Sequence, residues 1–159
     1  MAEKNVYEIT RDTLVQYYGF VNWVAHEIGT ERTLGILTKM ADFGGTMAGK
    51  SMKQQAPDKI FELKTALQWV ENALKENLIP YQITEETPQK VVFKVTKCSN
   101  YDAAHMAMMD DKTIEAVCRT CDIRFQDVLF KQLNPGLSAR IKKFRSTPDD
   151  FCEEEIFLE

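Results

Sequence analysis

The residues of this chain with the most distinctive chemistry are its four cysteines, Cys98, Cys118, Cys121 and Cys152, all in the second half. A cysteine thiolate is a nucleophile and a ligand for soft metal ions. In a reducing compartment such residues are better explained as thiols, metal ligands or catalytic groups than as structural disulfides. The cysteines therefore indicate where the functional site is to be sought.

Polar residues recur at helical spacing around two of these cysteines. Residues three and four apart lie on the same face of an α-helix. In the predicted helix over residues 112–133, the residues on one such face are Glu115, Cys118, Cys121, Asp122 and Phe125. This face would combine sulfur and carboxylate groups beside an aromatic side chain.

The other two cysteines flank predicted strands. Cys98 ends one strand and Cys152 begins the last one. If these strands pair beneath the helix, all four sulfur atoms converge, as a tetrahedral zinc site or an iron site requires. The predicted metal ligands are then Cys98, Cys118, Cys121 and Cys152.

Two further interpretations of the cysteines remain open. A catalytic thiol would use Cys118 as the nucleophile and Asp122 as its partner. Alternatively, Cys118 and Cys121 are small apolar residues of the core. His105 lies close to the cysteines in the sequence and is a further candidate catalytic residue.

Residues 44–51, Gly-Gly-Thr-Met-Ala-Gly-Lys-Ser, match the P-loop pattern of nucleotide-binding proteins. A P-loop needs a buried strand before it and a helix after it, so that backbone amides converge on the phosphates. Here the preceding residues 32–43 are predicted to be helical. We therefore expect the glycines to allow close helix packing, with nucleotide binding as a remote alternative.

Composition limits the class of partner. The chain has 159 residues, 44% hydrophobic and 28% charged, with a formal net charge of -4. This length fits a single domain spanning residues 1–159. Lys and Arg are scattered, which argues against a nucleic-acid partner. The first residues lack the basic and then apolar pattern that we expect of a secretory signal, and no apolar run approaches the length of a membrane span. We expect a cytoplasmic protein that binds a small molecule, and neither nucleic acid nor a membrane.

The elements that must position the cysteines follow from apolar periodicity and from Gly and Pro breaks. The predicted helices cover residues 6–28, 30–56, 58–78, 101–109 and 112–133. The predicted strands cover residues 81–84, 90–96, 139–145 and 151–158. The helical part, 1–79, thus precedes an α+β part, 80–159.

This order predicts an α+β fold with helices packed on one face of an antiparallel sheet. We expect the last strand to lie at an edge of that sheet, with the run Glu153-Glu154-Glu155 facing solvent. Exposed Phe157 and Leu158 then suggest pairing of this strand with a second copy, in a homodimer.

Five segments of the C-terminal half occur together in a known pattern. They are Lys97-Cys98-Ser99-Asn100-Tyr101, Cys118-Arg119-Thr120-Cys121-Asp122, Leu133-Asn134-Pro135-Gly136, the basic stretch from Arg140 to Thr147, and the stretch from Asp150 to Ile156. With these segments the chain resembles the L-2-amino-thiazoline-4-carboxylic acid hydrolase-like family. Its fold is also similar to that of the 4-vinyl-reductase-type small-molecule-binding domain, whose zinc-binding Glu and Cys are matched by Glu115 and Cys118.

The resemblance implies a hydrolase that opens a cyclic amidine at a C–N bond, so that an amino-thiazoline carboxylate becomes a carbamoylated cysteine. It implies that Cys98, Cys118, Asp122 and Cys152 form the centre, either around a metal ion that activates water or as a thiol–carboxylate pair. The alternative is a non-catalytic domain that binds a metal or a small molecule, as a sensor does.

Overall fold

The computed structural model describes residues 4–56 and 61–159. The helices are α1 (Val6–Ile28), α2 (Thr30–Gln55), α3 (Leu63–Glu76), α4 (Ser99–Met106), α5 (Asp111–Val117) and α6 (Ile123–Leu133). The strands are β1 (Tyr81–Glu86), β2 (Lys90–Val95), β3 (Leu137–Lys143) and β4 (Cys152–Leu158). The predicted start of the third helix, at Asp58, lies outside the described residues.

The first two helices are joined by a single residue. Asn5 and Glu8 form a capping box at the start of α1, which satisfies two backbone donors. Gly29 ends α1 and also precedes the first residue of α2. Its φ angle is 90°, a conformation that favours glycine. Across residues 4–56 and 61–159, every helix is too short or too polar to cross a membrane.

The glycines of the P-loop pattern lie inside α2, where they make room for α6. A Cβ atom on Gly45 would lie 2.7 Å from the carbonyl oxygen of Phe125, and one on Gly49 would lie 2.5 Å from Cβ of Gln132. The prediction of close helix packing is confirmed. Because residues 44–51 are helical, they do not form the loop that would cradle a phosphate.

The sheet is antiparallel, with strand order β1-β2-β4-β3. The last strand, β4, is therefore paired on both sides, and the prediction that it lies at an edge is wrong. Consequently β4 offers no free edge for the predicted pairing with a second copy. The three glutamates divide between the faces of this central strand, because alternate side chains point to opposite sides.

Helices cover one face of the sheet, which confirms the predicted α+β fold with its helical N-terminal half. One hydrophobic cluster joins α3 and α6 to that face, through buried residues such as Val70, Phe93 and Phe130. A second cluster joins α1, α2, α4 and α5, with Tyr18 among its buried residues. Cys98 contacts both clusters, so the junction between them is where the site is found.

Candidate functional site

A cavity of about 180 Å³ lies between the helices and the covered face of the sheet. Its reactive lining residues are Cys98, Cys118, Asp122, Cys152 and Glu154. Apolar side chains from α3, α6 and β3 form much of the remaining wall. Ligand pockets commonly enclose roughly 300–1,000 Å³, so this smaller cavity suits a single-ring molecule.

Cys118 and Asp122 reach the cavity from a π-helical turn, Cys118–Asp122, that interrupts the predicted continuous helix between α5 and α6. The Ile123 N–H donates to the Cys118 carbonyl, the i→i+5 bond of a π turn. Because this turn is wider than an α turn, residues four apart stack more closely and residues three apart diverge. Single π turns inside helices are frequent at functional sites.

The π turn also separates the residues that we predicted to share one helical face. The Sγ atom of Cys121 lies 3.6 Å from the Tyr17 hydroxyl, away from the cavity. Glu115 accepts a hydrogen bond from Arg119 Nε at 2.9 Å and also lies outside the cavity. Of the predicted face, the structure therefore brings Cys118 and Asp122 to the cavity and turns the other polar members elsewhere.

Cys98 and Cys152, which were predicted to flank strands, both reach the cavity. Cys98 lies three residues after the end of β2 and directly before the first residue of α4. Cys152 begins β4 opposite Val95 of β2. The cavity therefore gathers three of the four sulfur atoms, those of Cys98, Cys118 and Cys152, and excludes that of Cys121.

The structure gives no support to the predicted metal site. Within the residues that the structure describes, no three or more Cys, His, Asp or Glu side chains are arranged to hold one. The physical reason lies partly in the π turn, which directs Cys121 towards Tyr17.

Asp122 is a carboxyl group in an unfavourable place for negative charge. It is surrounded by protein, and the part of its surface that stays accessible faces the cavity. Burial raises the pKa of Asp122 to about 6, and donation by the Tyr18 hydroxyl and the Cys118 thiol only partly offsets this. The Asn100 side-chain amide also donates to Asp122 Oδ2, at 3.2 Å.

Glu154 is a site residue that the sequence analysis missed. It lies two residues after Cys152 on β4, so both side chains point to the covered face of the sheet. Burial, and then the nearby charge of Asp122, raise the pKa of Glu154 to about 7, while Arg145 lowers it. The signal in the sequence was the two-residue spacing from Cys152, which the three consecutive glutamates concealed.

Burial keeps the Cys98 and Cys118 thiols in the neutral form. Burial raises the pKa of Cys98 to about 12, although the backbone N–H groups of Tyr101 and Asn100 favour the thiolate. Burial also raises the pKa of Cys118 well above the ordinary thiol value, and the charge of Asp122 adds to this effect. At neutral pH these thiols are proton donors rather than nucleophilic thiolates.

The third thiol has a cationic neighbour. Arg145 is only 3% exposed, and its Nε donates to the Sγ atom of Cys152 at 3.5 Å. The other guanidinium nitrogens donate to the carbonyl oxygens of Val95, Thr96 and Pro148, at 3.2 to 3.5 Å. The guanidinium also stacks on the Tyr101 ring at 4.4 Å, so its position is fixed from several sides.

Replacing Arg145 with methionine is expected to lower the free energy of unfolding by about 2–4 kcal/mol, because three backbone carbonyls lose a buried donor. Urea unfolding of the two proteins measures the difference. Exposed Lys142 provides the matched control, since Lys142→Met removes a positive charge that faces solvent. Equal losses in the two variants would show that the buried guanidinium is not a structural anchor.

His105, the remaining predicted catalytic residue, lies outside the cavity. Its Nε2 is 2.8 Å from Asp111 Oδ1, the atom to which the Tyr101 hydroxyl also donates at 2.8 Å. The imidazole ring contacts the Tyr101 ring, with centroids 4.6 Å apart. Because the short helix α4 directs His105 towards α5, the structure does not bring it to the thiols.

Comparison with known proteins adds no family to this description. No protein-family model matches the sequence, and no curated protein matches it. The site is therefore characterised by its own residues: two carboxyl groups and three thiols around one small cavity.

Proposed function

We propose that the cavity binds a small cyclic amidine, such as an amino-thiazoline carboxylate, and opens its ring by hydrolysis of a C–N bond. The observation that carries the proposal is that Asp122 and Glu154, two carboxyl groups with pKa values of about 6 and about 7, line the same cavity. Such values suit groups that exchange protons near neutral pH.

The carboxyl pair also suits the charge of the ligand. A protonated amidine is a planar cation with two N–H donors on one side, and a carboxylate accepts such a pair of donors. Since the charge of Asp122 raises the pKa of Glu154, the two groups titrate as a coupled pair, which favours one negative charge near neutral pH. An amidinium bound there would neutralise that charge.

In the proposed reaction the pair moves protons in both directions. Asp122 has the lower pKa and is therefore the ionised member of the pair between pH 6 and pH 7, so it accepts the proton of the attacking nucleophile. A bond forms to the ring carbon between nitrogen and sulfur, and the C–N bond to the ring nitrogen breaks. Glu154 has the higher pKa and donates a proton to that nitrogen, which leaves as an amine. The net change is the addition of one water molecule.

Incubation with L-2-amino-thiazoline-4-carboxylate, followed by mass spectrometry, tests the proposal. The expected result is a carbamoylated cysteine, formed in proportion to protein concentration. Calorimetry with the same compound detects binding separately. Binding without turnover would instead support the non-catalytic small-molecule-binding domain, and neither binding nor turnover would refute the proposal for this substrate.

The rate is expected to be highest between about pH 6 and pH 7. Below this range Asp122 is protonated and no longer accepts a proton, and above it Glu154 is ionised and no longer donates one. Each limb is expected to change kcat/KM by about tenfold per pH unit. Rates measured from pH 4 to pH 9, with circular dichroism at each pH as the control for unfolding, check this. A flat profile across that range contradicts the assigned roles.

A further inference from the structure

Cys152 differs from the other two thiols of the cavity in the group that contacts its sulfur atom. Nε of the buried Arg145 donates to Cys152 Sγ at 3.5 Å. Within the described part of the chain, Cys98 and Cys118 accept no hydrogen bond from a Lys or Arg side chain, and carboxylates are the charged neighbours that affect them most. A fixed positive charge beside a sulfur atom stabilises the negative charge that the atom carries as nucleophile or leaving group.

The position of Arg145 indicates that this contact is maintained during a reaction. Its guanidinium is held by the backbone carbonyls of Val95, Thr96 and Pro148 and by the Tyr101 ring. Its hydrogen bond to a side chain goes to Cys152. The guanidinium therefore provides positive charge at the sulfur without having to move.

We infer that Cys152 is the nucleophile of the cavity and that Arg145 positions it and stabilises its negative charge. This inference rests on the proposed hydrolysis and deepens it. Cys118, the thiol that the sequence favoured, then contributes to the polarity of the cavity through its contact with Asp122.

The reaction would proceed in two halves. First, the Cys152 thiol gives its proton to the carboxyl pair as its sulfur bonds to the amidine carbon. The ring C–N bond then breaks, and the nitrogen leaves as an amine with a proton from the pair. In the second half, water adds to the same carbon and loses a proton to the pair. The carbon–sulfur bond to Cys152 breaks, the sulfur regains a proton, and the carbamoylated product leaves.

Alkylation tests the reactivity of Cys152 without any substrate. Native protein is treated with limiting iodoacetamide, and the labelled cysteines are quantified by peptide mass spectrometry. Cys152 is expected to react at least about tenfold faster than Cys98 and Cys118, which line the same cavity and share its access. Arg145→Lys, which keeps the charge but loses the planar fork, is expected to reduce this preference. Equal rates for the three thiols would overturn the inference.

Turnover of L-2-amino-thiazoline-4-carboxylate separates the inference from the proposed function. Wild type quenched with acid during turnover is expected to carry a covalent adduct on Cys152. Cys152→Ser is expected to lack this adduct, to lower kcat by about 10³-fold or more, and to keep calorimetric binding. Cys121→Ser, outside the cavity, is the matched control and is expected to keep wild-type activity. If Cys152→Ser keeps full turnover, the inference fails and the hydrolase stands. If wild type shows no turnover, the proposed function fails, and the labelling result alone decides whether Cys152 is the reactive thiol.

Discussion

Replacing Asp122 with asparagine is expected to lower turnover of an amino-thiazoline carboxylate by about 10²–10⁴-fold, and to make the protein more stable at pH 8. The asparagine keeps the shape of the side chain and cannot accept a proton in the reaction. It also removes a buried negative charge. A loss of activity together with a gain in stability is typical of a residue kept for function.

The sign of the stability change follows from the direction of the pKa shift. The pKa of Asp122 is about 6 in the folded protein and near its ordinary value of 3.8 in the unfolded chain. Folding is therefore favoured below the unfolded pKa, where the group is neutral in both states, and stability is lost as the pH rises through the folded pKa. At pH 8 the asparagine variant avoids this loss, worth about 1–3 kcal/mol. At pH 3 the gain disappears.

Urea unfolding of wild type and Asp122→Asn at both pH values measures this difference, and product formation is measured on the same samples. Asp12 is the matched control, because its carboxylate pairs with Lys4 and Arg11 at the surface. Hydrogen bonds from these two side chains lower the pKa of Asp12, whereas burial raises that of Asp122. Asp12→Asn is expected to keep full turnover and to lose a little stability at pH 8. Destabilisation by Asp122→Asn at pH 8 would mean that the hydrogen bonds of the Asp122 carboxylate stabilise the fold by more than its burial costs. That result would contradict the assignment of Asp122 as a residue kept for function.

Gly45→Ala is expected to destabilise the protein by about 1–3 kcal/mol, although alanine favours helices. The new Cβ atom would lie 2.7 Å from the carbonyl oxygen of Phe125, so α2 and α6 must separate. Because α6 begins directly after the π turn that carries Cys118 and Asp122, we expect the separation to distort the cavity and to lower activity as well.

The neighbouring glycine provides the control for this substitution. A Cβ atom on Gly44 meets the edge of the Phe125 ring at 3.4 Å, an ordinary contact. Gly44→Ala is therefore expected to stabilise the protein by about 0.5–1 kcal/mol, through the loss of glycine's freedom in the unfolded chain. Thermal or urea unfolding of the two variants compares them. Effects of the same sign would show that the α2–α6 contact is less close than the structure has it.

Most of the fold could be predicted from apolar periodicity. The helices α1 and α2 begin and end close to the predicted residues, because Gly29 and Pro57 interrupt a regular pattern. The strand order could not be predicted, since the charged run from Glu153 to Glu155 suggests an edge. That run is tolerated in a central strand because Glu155 pairs with Arg140 on the uncovered face, with an Arg140 nitrogen 2.6 Å from Glu155 Oε2.

The site was predictable in part for equally physical reasons. Helical spacing correctly placed Cys118 and Asp122 side by side, and strand ends correctly placed Cys98 and Cys152 near them. The same spacing placed Cys121 with them, because a π turn leaves no clear pattern in the sequence. Glu154 and Arg145 were not chosen as site residues, since only the packed structure shows a carboxylate and a guanidinium beneath the helices.

Titration of the side-chain carboxyl carbons by ¹³C NMR tests the central claim most directly, because it needs no substrate. The claim is that Asp122 and Glu154 form a coupled acid–base pair in the cavity. It predicts midpoints near pH 6 for Asp122 and near pH 7 for Glu154, with each resonance responding to the other's titration. Independent midpoints near the ordinary values of 3.8 and 4.5 would contradict it.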